Sequence, residues 1–161
     1  MTIKLIGALL IFTAGGSLVS QTARQRNREM RFLSDMAAAL EQMEASLRFR
    51  RLPMLELLQE QTVRPCCGQL FALIIQYMTS GNTLQNSWSR AVEKTPYPRI
   101  RTVLLTLELT GDAQRIGENL RTCARSLREL LCREQTEKRE KQKVTLALTA
   151  SACGLLVILL L

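Results

Sequence analysis

Two runs without a single charge bracket this chain, and they limit its fold more than anything between them. Leu5 to Ala23 is 19 residues long and Val144 to Leu161 is 18, the second closing on Gly154-Leu155-Leu156-Val157-Ile158-Leu159-Leu160-Leu161. Each is close to the ~20 residues with which a helix crosses the hydrocarbon of a bilayer. The mean hydropathy of +0.03 agrees with a chain of which part lies in lipid. The first run is diluted by Thr13, Gly15, Gly16, Ser17 and Ser20. With Lys4 ahead of it and small residues near its end, it also has the outline of a cleaved signal peptide, although Leu18 and Val19 interrupt the small-residue pattern. A membrane anchor is the better reading, because secretion would leave free thiols in an oxidising space.

The basic residues set the orientation. Only Lys4 precedes the first run, whereas Arg24, Arg26, Arg28 and Arg31 follow it, and Lys138, Arg139, Lys141 and Lys143 precede the second. Basic residues beside membrane spans stay on the cytoplasmic side. The expected division is therefore an N-terminal transmembrane segment over 1–23, a cytoplasmic helical bundle with juxtamembrane stalks over 24–143, and a C-terminal transmembrane segment over 144–161. The charges beside the spans are also placed to meet anionic lipid headgroups.

The central block reads as all-α. Met30, Leu33, Met36, Leu40, Met43 and Leu47 recur at helical spacing. No breaker separates them from the first apolar run, so one helix of about 70 Å is expected from Leu5 to Arg50. Pro53 opens a short second helix ending near Gln61. A third is expected over Gln69–Ser80 with Gly81 as its stop. Asn82, with Gln85 three residues on, reads as the capping box of a fourth, Thr83–Lys94, which presents Leu84, Trp88, Ala91 and Val92 to the core. Pro96 and Pro98 form a turn, a fifth helix spans Arg99–Thr110 and stops at Gly111, and a sixth starts at an Asp112 N-cap with a stripe of Ile116, Leu120, Cys123, Leu127 and Leu130. Arg133 to Lys143 is polar on every face, with Glu134–Lys138 and Glu137–Lys141 at i,i+4. It should lie beside Gln21–Glu29 as a paired stalk. The expected fold is a six-helix cytoplasmic bundle whose first and last helices continue into the membrane segments.

Chemistry is mostly excluded. There is no histidine, which removes His-based catalysis and most zinc or haem sites. Aromatic residues are 4% of the chain, too few for base-stacking platforms, and no DNA-binding motif occurs, so no nucleic-acid partner is expected. No phosphate loop, nucleophile elbow or metal-spaced carboxylate cluster is present, and neither an enzyme nor a cofactor is expected. Glu41 and Glu44 read as a solvated helix-surface pair. The five cysteines, Cys66, Cys67, Cys123, Cys132 and Cys153, read as buried free thiols in a reducing compartment, with only Arg64 near enough to activate Cys66 or Cys67. Trp88 reads as core. Arg48, Arg50 and Arg51, at the tip of the first helix, are either a solvated helix end or a contact for an acidic partner.

The order of these features resembles the stage III sporulation protein AB family of endospore-forming bacteria. The carriers are Ile3-Lys4-Leu5-Ile6-Gly7-Ala8, the Arg-rich helix after the first span, Gly81-Asn82-Thr83-Leu84 with Trp88, and a charged helix running into a Leu-rich tail. The middle is also similar to the cytoplasmic domain of type II secretion and type IV pilus inner-membrane platform proteins, with Gly81 and Leu84, then Glu108 and Gly111, as counterparts of their glycine-bearing motifs. Leu107 departs from the platform pattern, and Gln114 stands where the sporulation family usually has Asp. The resemblance implies a scaffold in the mother-cell-derived outer forespore membrane. Its partners would be the other membrane proteins of the stage III complex and a cytoplasmic secretion-type ATPase, with homo-oligomerisation left open. The alternative is a membrane-surface adaptor that binds anionic lipid through Arg24, Arg26, Arg28, Lys138, Arg139, Lys141 and Lys143 and has no part in secretion.

Overall fold

A computed structural model of the chain describes the backbone of residues 2–50 and 52–160, and the side chains of residues 25–50 and 52–137. Six helices follow one another, α1 (Thr2–Arg50), α2 (Met54–Gln61), α3 (Gly68–Thr79), α4 (Leu84–Glu93), α5 (Pro98–Leu105) and α6 (Ala113–Leu160), with no strand among the described residues. The side chains of the two apolar runs lie outside the described residues; among those described, no helix is long and apolar enough to cross a membrane.

The frame is the antiparallel pair α1 and α6. Arg26 reaches Glu134, Glu41 reaches Arg128 and Glu44 reaches Arg121, so numbers rise along one helix as they fall along the other. The two polar stalks therefore do meet. Arg26 Nη2 lies 2.9 Å from Glu134 Oε2 and 3.6 Å from Glu137 Oε2. Glu134 is bound by Arg26 and by Arg99 of α5, while the side chains of Lys138 and Lys141, the i,i+4 partners expected within α6, lie outside the described residues. Glu41 and Glu44 are likewise not simply solvated: both carboxylates join α1 to α6, because their face of α1 is the one α6 covers.

The four short helices fold back onto this pair and close one core. Leu33, Met36, Leu40 and Met43 of α1, Leu57 and Leu58 of α2, Phe71 and Ile74 of α3, Trp88 and Val92 of α4, Ile100 and Leu104 of α5, and Leu120 and Leu127 of α6 are all buried. Burying side chains of this size stabilises by roughly 1.5–3 kcal/mol each before entropy is counted. The helical stripes read from the sequence are the faces that enter the core.

Helix ends differ from expectation in three places. Pro53 is the N-cap of α2, with φ −63° and ψ 145°, one residue ahead of the helix it opens. Asn82 does not cap α4. The cap is Thr83, whose hydroxyl accepts the Asn86 amide at 3.3 Å, while the Asn82 side chain donates back to the Tyr77 carbonyl at 3.0 Å. Finally, α5 stops at Leu105 rather than at Thr110. Leu107 and Leu109 beyond it are still buried, but from an irregular extended stretch in which they alternate with exposed Glu108. Asp112 does cap α6, its Oδ1 accepting the Arg115 amide at 3.2 Å.

Candidate functional site

The residues on which the sequence resemblance rests fall at two backbone turns, and Gln85 ties the segments that follow the first and precede the second. Gly81 closes α3 at φ 88°, a left-handed conformation that side-chain-bearing residues rarely adopt. Its amide bonds the Met78 carbonyl at 3.0 Å and the next amide, of Asn82, bonds the Tyr77 carbonyl at 3.3 Å, the paired bonds of a Schellman stop. Gly111, at φ 113°, performs the second reversal, just before α6. Between them stands Gln85 on the first turn of α4. Its Nε2 donates to the Leu107 carbonyl at 3.1 Å, and its Oε1 accepts the Leu109 amide at 2.6 Å.

That side-chain amide acts as a strand partner for a segment that has none. Residues 107–109 have left helical geometry while two of their side chains are buried, so their amides and carbonyls need partners. Gln85 supplies two, and Asn119 Nδ2 of α6 supplies a third by donating to the Glu108 carbonyl at 2.9 Å. Trp88, one turn after Gln85, is fully buried against Phe71 with ring centroids 6.4 Å apart, and its Nε1 donates to the Leu104 carbonyl at 2.9 Å. Trp88 is core, as the sequence indicates. Leu84 is half-buried beside it, while the Glu108 side chain is exposed. The motif residues Gly81, Leu84, Trp88, Glu108 and Gly111 thus mark where α4 is fastened to the α5–α6 connection. Gln85, although it stands at capping-box spacing from Asn82, is the residue that fastens it.

A second polar centre was not foreseen. Asp35, on the flank of the α1 stripe, faces the start of α3. Its Oδ2 accepts the amides of Cys66 at 3.0 Å and Cys67 at 3.2 Å, and its Oδ1 accepts Arg64 Nη1 at 3.0 Å. Arg64 also donates to Gln61 Oε1 at 2.5 Å and Gln42 Oε1 at 2.7 Å. Asp35 therefore serves as an N-terminal cap donated from another helix, with the favourable sign for the α3 dipole. Burial works to raise its pKa, but the amide of Cys66, the Arg64 guanidinium and the amide of Cys67 outweigh that and hold the carboxyl below its usual range. No local signal links position 35 to positions 64–67, so only the fold reveals the cluster.

The same cluster works against Cys67 as a nucleophile. Burial first, then the Asp35 carboxylate, push the Cys67 thiol up to about 12. Burial alone does the same to Cys123. Arg64 is turned to Asp35 rather than to a thiolate. The four described cysteines are free; Cys67 and Cys123 are buried as expected, Cys66 is half-buried, and Cys132 is exposed, contrary to the expectation of burial. Among the described residues no cluster of metal-ligating side chains occurs.

The basic residues divide into engaged and open. Arg26 is committed to Glu134 and Glu137 within the bundle, and its hydrogen bond holds the Glu134 carboxyl low. Arg50 pairs with Glu60 at 3.0 Å. Arg28 and Arg48 are exposed, the latter over the ring of Phe49 at 5.5 Å. The side chains of Arg24, Arg51, Lys138, Arg139, Lys141 and Lys143 lie outside the described residues, as does that of Cys153.

The arrangement defines an all-helical bundle hung on one long antiparallel pair. The chain belongs to the stage III sporulation protein AB family, whose model matches residues 4–161. No curated protein and no solved structure gives a match.

Proposed function

We propose that this sporulation protein is a non-enzymatic platform with two membrane spans. It holds together a secretion-like complex between mother cell and forespore and engages a cytoplasmic secretion-type ATPase. The observation that carries the reading is the antiparallel α1–α6 pair. Its two polar stalks clasp through Arg26, Glu134 and Glu137, and the sequence beyond each stalk is one of the two charge-free apolar runs. A bundle tied in this way has both apolar runs leading from the same end. Basic residues beside each run favour the cytoplasm for the block between them. The similarity of the Gly81–Leu84 and Glu108–Gly111 stretches to platform proteins of secretion systems supports the ATPase as partner.

Topology is tested by protease treatment of inverted membrane vesicles, where the bundle should be digested; a bundle protected inside them contradicts the placement. Deletion in a spore-former should stop development after engulfment, and normal counts of heat-resistant spores would reject the role. Co-purification of the full chain with the ATPase tests the partner.

A second reading has its own support in the exposed Arg28 and Arg31 near the stalk. They favour an adaptor that binds anionic headgroups. Flotation with anionic but not neutral vesicles, by a chain whose deletion leaves sporulation intact, would select it.

A further inference from the structure

The ion pairs between α1 and α6 fix which residues of the two helices stand at one level. Nearest the apolar runs, Arg26 meets Glu134 and Glu137. Both helices continue unbroken from there, α1 back to Thr2 and α6 on to Leu160. In an antiparallel pair, each step down the numbering of α1 is matched by a step up that of α6, at about 1.5 Å a residue. Seven steps carry Arg26 and Glu137 to Val19 and Val144, and ten carry Arg26 and Glu134 to Gly16 and Val144. The first residue of the second apolar run is therefore level with residues 16–19 of α1, not with Ala23, where the first run ends.

The sequence changes character at that level on both helices. The charge-free run of α1 closes on Ser20, Gln21, Thr22 and Ala23, three of them polar. Carried on from Arg26 and Glu137, the register sets these four level with Lys143, Gln142, Lys141 and Glu140 of α6. Leu18 and Val19 come before the polar group on α1, and Val144 and Leu146 come after it on α6. The ion pairs owe nothing to hydropathy, yet they bring the two apolar-to-polar transitions into line. Were Ala23 in hydrocarbon, the same register would draw Glu140, Lys141 and Lys143 in with it, a costly place for charge. Ser20, Gln21 and Thr22 also lose hydrogen-bond partners in hydrocarbon and keep them at a headgroup or in water.

We propose that the hydrocarbon ends at one level on both helices, at Val19 on α1 and Val144 on α6, and that Ser20, Gln21 and Thr22 lie with residues 140–143 in the lipid headgroup layer. In this collar Lys141 and Lys143 bring the cations that suit headgroup phosphates, and α1 brings uncharged hydrogen-bonding groups. Arg28 and Arg31, nine and twelve residues beyond Val19, stand about 13 and 18 Å farther along the helix. That is clear of a headgroup layer ~5–7 Å deep, so the two arginines belong to the surface of the bundle. The proposal rests on the two-span reading above and shortens its first span to residues 5–19.

The test is labelling of the full chain in lipid vesicles with a membrane-impermeant maleimide, read as mass added to the intact chain. The parent sets the baseline for the native cysteines, and exposed Cys132 marks the chains whose bundle faces the reagent. Ser20→Cys, Gln21→Cys and Thr22→Cys are made one at a time. Successive residues of a helix turn by about 100°, so contact with α6 shields only part of the set. At least two of the three should gain one label, within about tenfold of the rate at Cys132. Thr13→Cys and Leu9→Cys should gain none until detergent is added. Fewer than two labelled positions among 20–22, with Leu9→Cys protected, overturns the proposal and leaves the spans standing. A labelled Thr13→Cys, with Leu9→Cys protected, overturns it from the other side. A labelled Leu9→Cys shows that the first run does not cross the bilayer, and the two-span reading falls with the proposal.

Discussion

Arg128 of α6 grips Glu41 of α1 through two parallel bonds, Nε to Oε1 and Nη2 to Oε2, both 2.8 Å long. The pair spans two helices whose connection runs through the rest of the bundle, and it fixes their register as well as their closeness. Its Glu41 side chain is 47% exposed and its Arg128 side chain 43%, so solvent screens much of the attraction. A double-mutant cycle with Glu41→Gln and Arg128→Met should return a coupling of about 0.5–1 kcal/mol, reduced in high salt. The buried Trp88, the single tryptophan of the chain, gives the fluorescence signal for unfolding.

Gly68→Ala should be much more damaging than its size suggests. A Cβ at Gly68 would stand 2.2 Å from the Thr62 carbonyl oxygen, a backbone atom that cannot swing away. The α2–α3 connection must shift, at a cost of about 1–3 kcal/mol or more. Gly117→Ala, where the added atom meets open space, is the control and should leave the unfolding midpoint level or higher.

Asp35→Asn should lower stability by about 2–3 kcal/mol, because the charged acceptor of two amides and of Arg64 is lost. Its pH signature follows from direction. The folded-state pKa lies below the unfolded one, so the stabilisation is complete above the unfolded value near 4 and is lost as pH falls through the depressed folded value. Glu41 and Glu134 are shifted in the same sense, by their bonds from Arg128 and Arg26. Denaturant titrations from pH 7 to pH 3 should show the parent losing stability across the acid range and Asp35→Asn losing less. Parallel curves would show that Asp35 is not the group involved.

Gln85→Leu should loosen residues 106–112 without unfolding the bundle. The Leu107 carbonyl and Leu109 amide lose their partner while the flanking side chains stay buried. About 1–3 kcal/mol is expected, with faster amide exchange confined to that stretch. Gln85→Glu keeps an acceptor for the Leu109 amide but has no donor for Leu107, and should fall between the two.

Thiol labelling gives a different readout. Cys132 is exposed and should react first with iodoacetamide near pH 8. Cys67 and Cys123, whose thiols are pushed up to about 12, should stay unmodified until the bundle unfolds. Mass spectrometry of tryptic peptides separates these sites.

The helices were legible because each repeats one simple period. The stripe from Met30 to Leu47 foretold the buried face of α1, and Gly81 foretold the end of α3. The misreadings came where one pattern satisfied two geometries. Leu104 and Leu107 are three apart, which suits a helix, but Leu107 and Leu109 alternate about Glu108, and the extended form wins because Gln85 and Asn119 satisfy its backbone. Likewise Asn82 and Gln85 have capping-box spacing, yet each is drawn to a carbonyl outside the box. Asp35 and Arg64 were illegible for another reason: their bond joins positions 29 apart in sequence, and no short-range pattern encodes such a meeting.

The antiparallel clasp of α1 and α6 has a mechanical side. Its bonds are strung in file along the pair, with Arg26–Glu134 at the stalk end and Glu44–Arg121 at the other. A pull that separates the two stalks sideways would load these bonds one after another, as in a zipper, and yield at low force. A pull on both stalks together along the helix axis moves neither helix relative to the other, so it does not load these bonds and leaves the core undisturbed. The molecule is therefore stiff toward tugging along its length and compliant toward splaying.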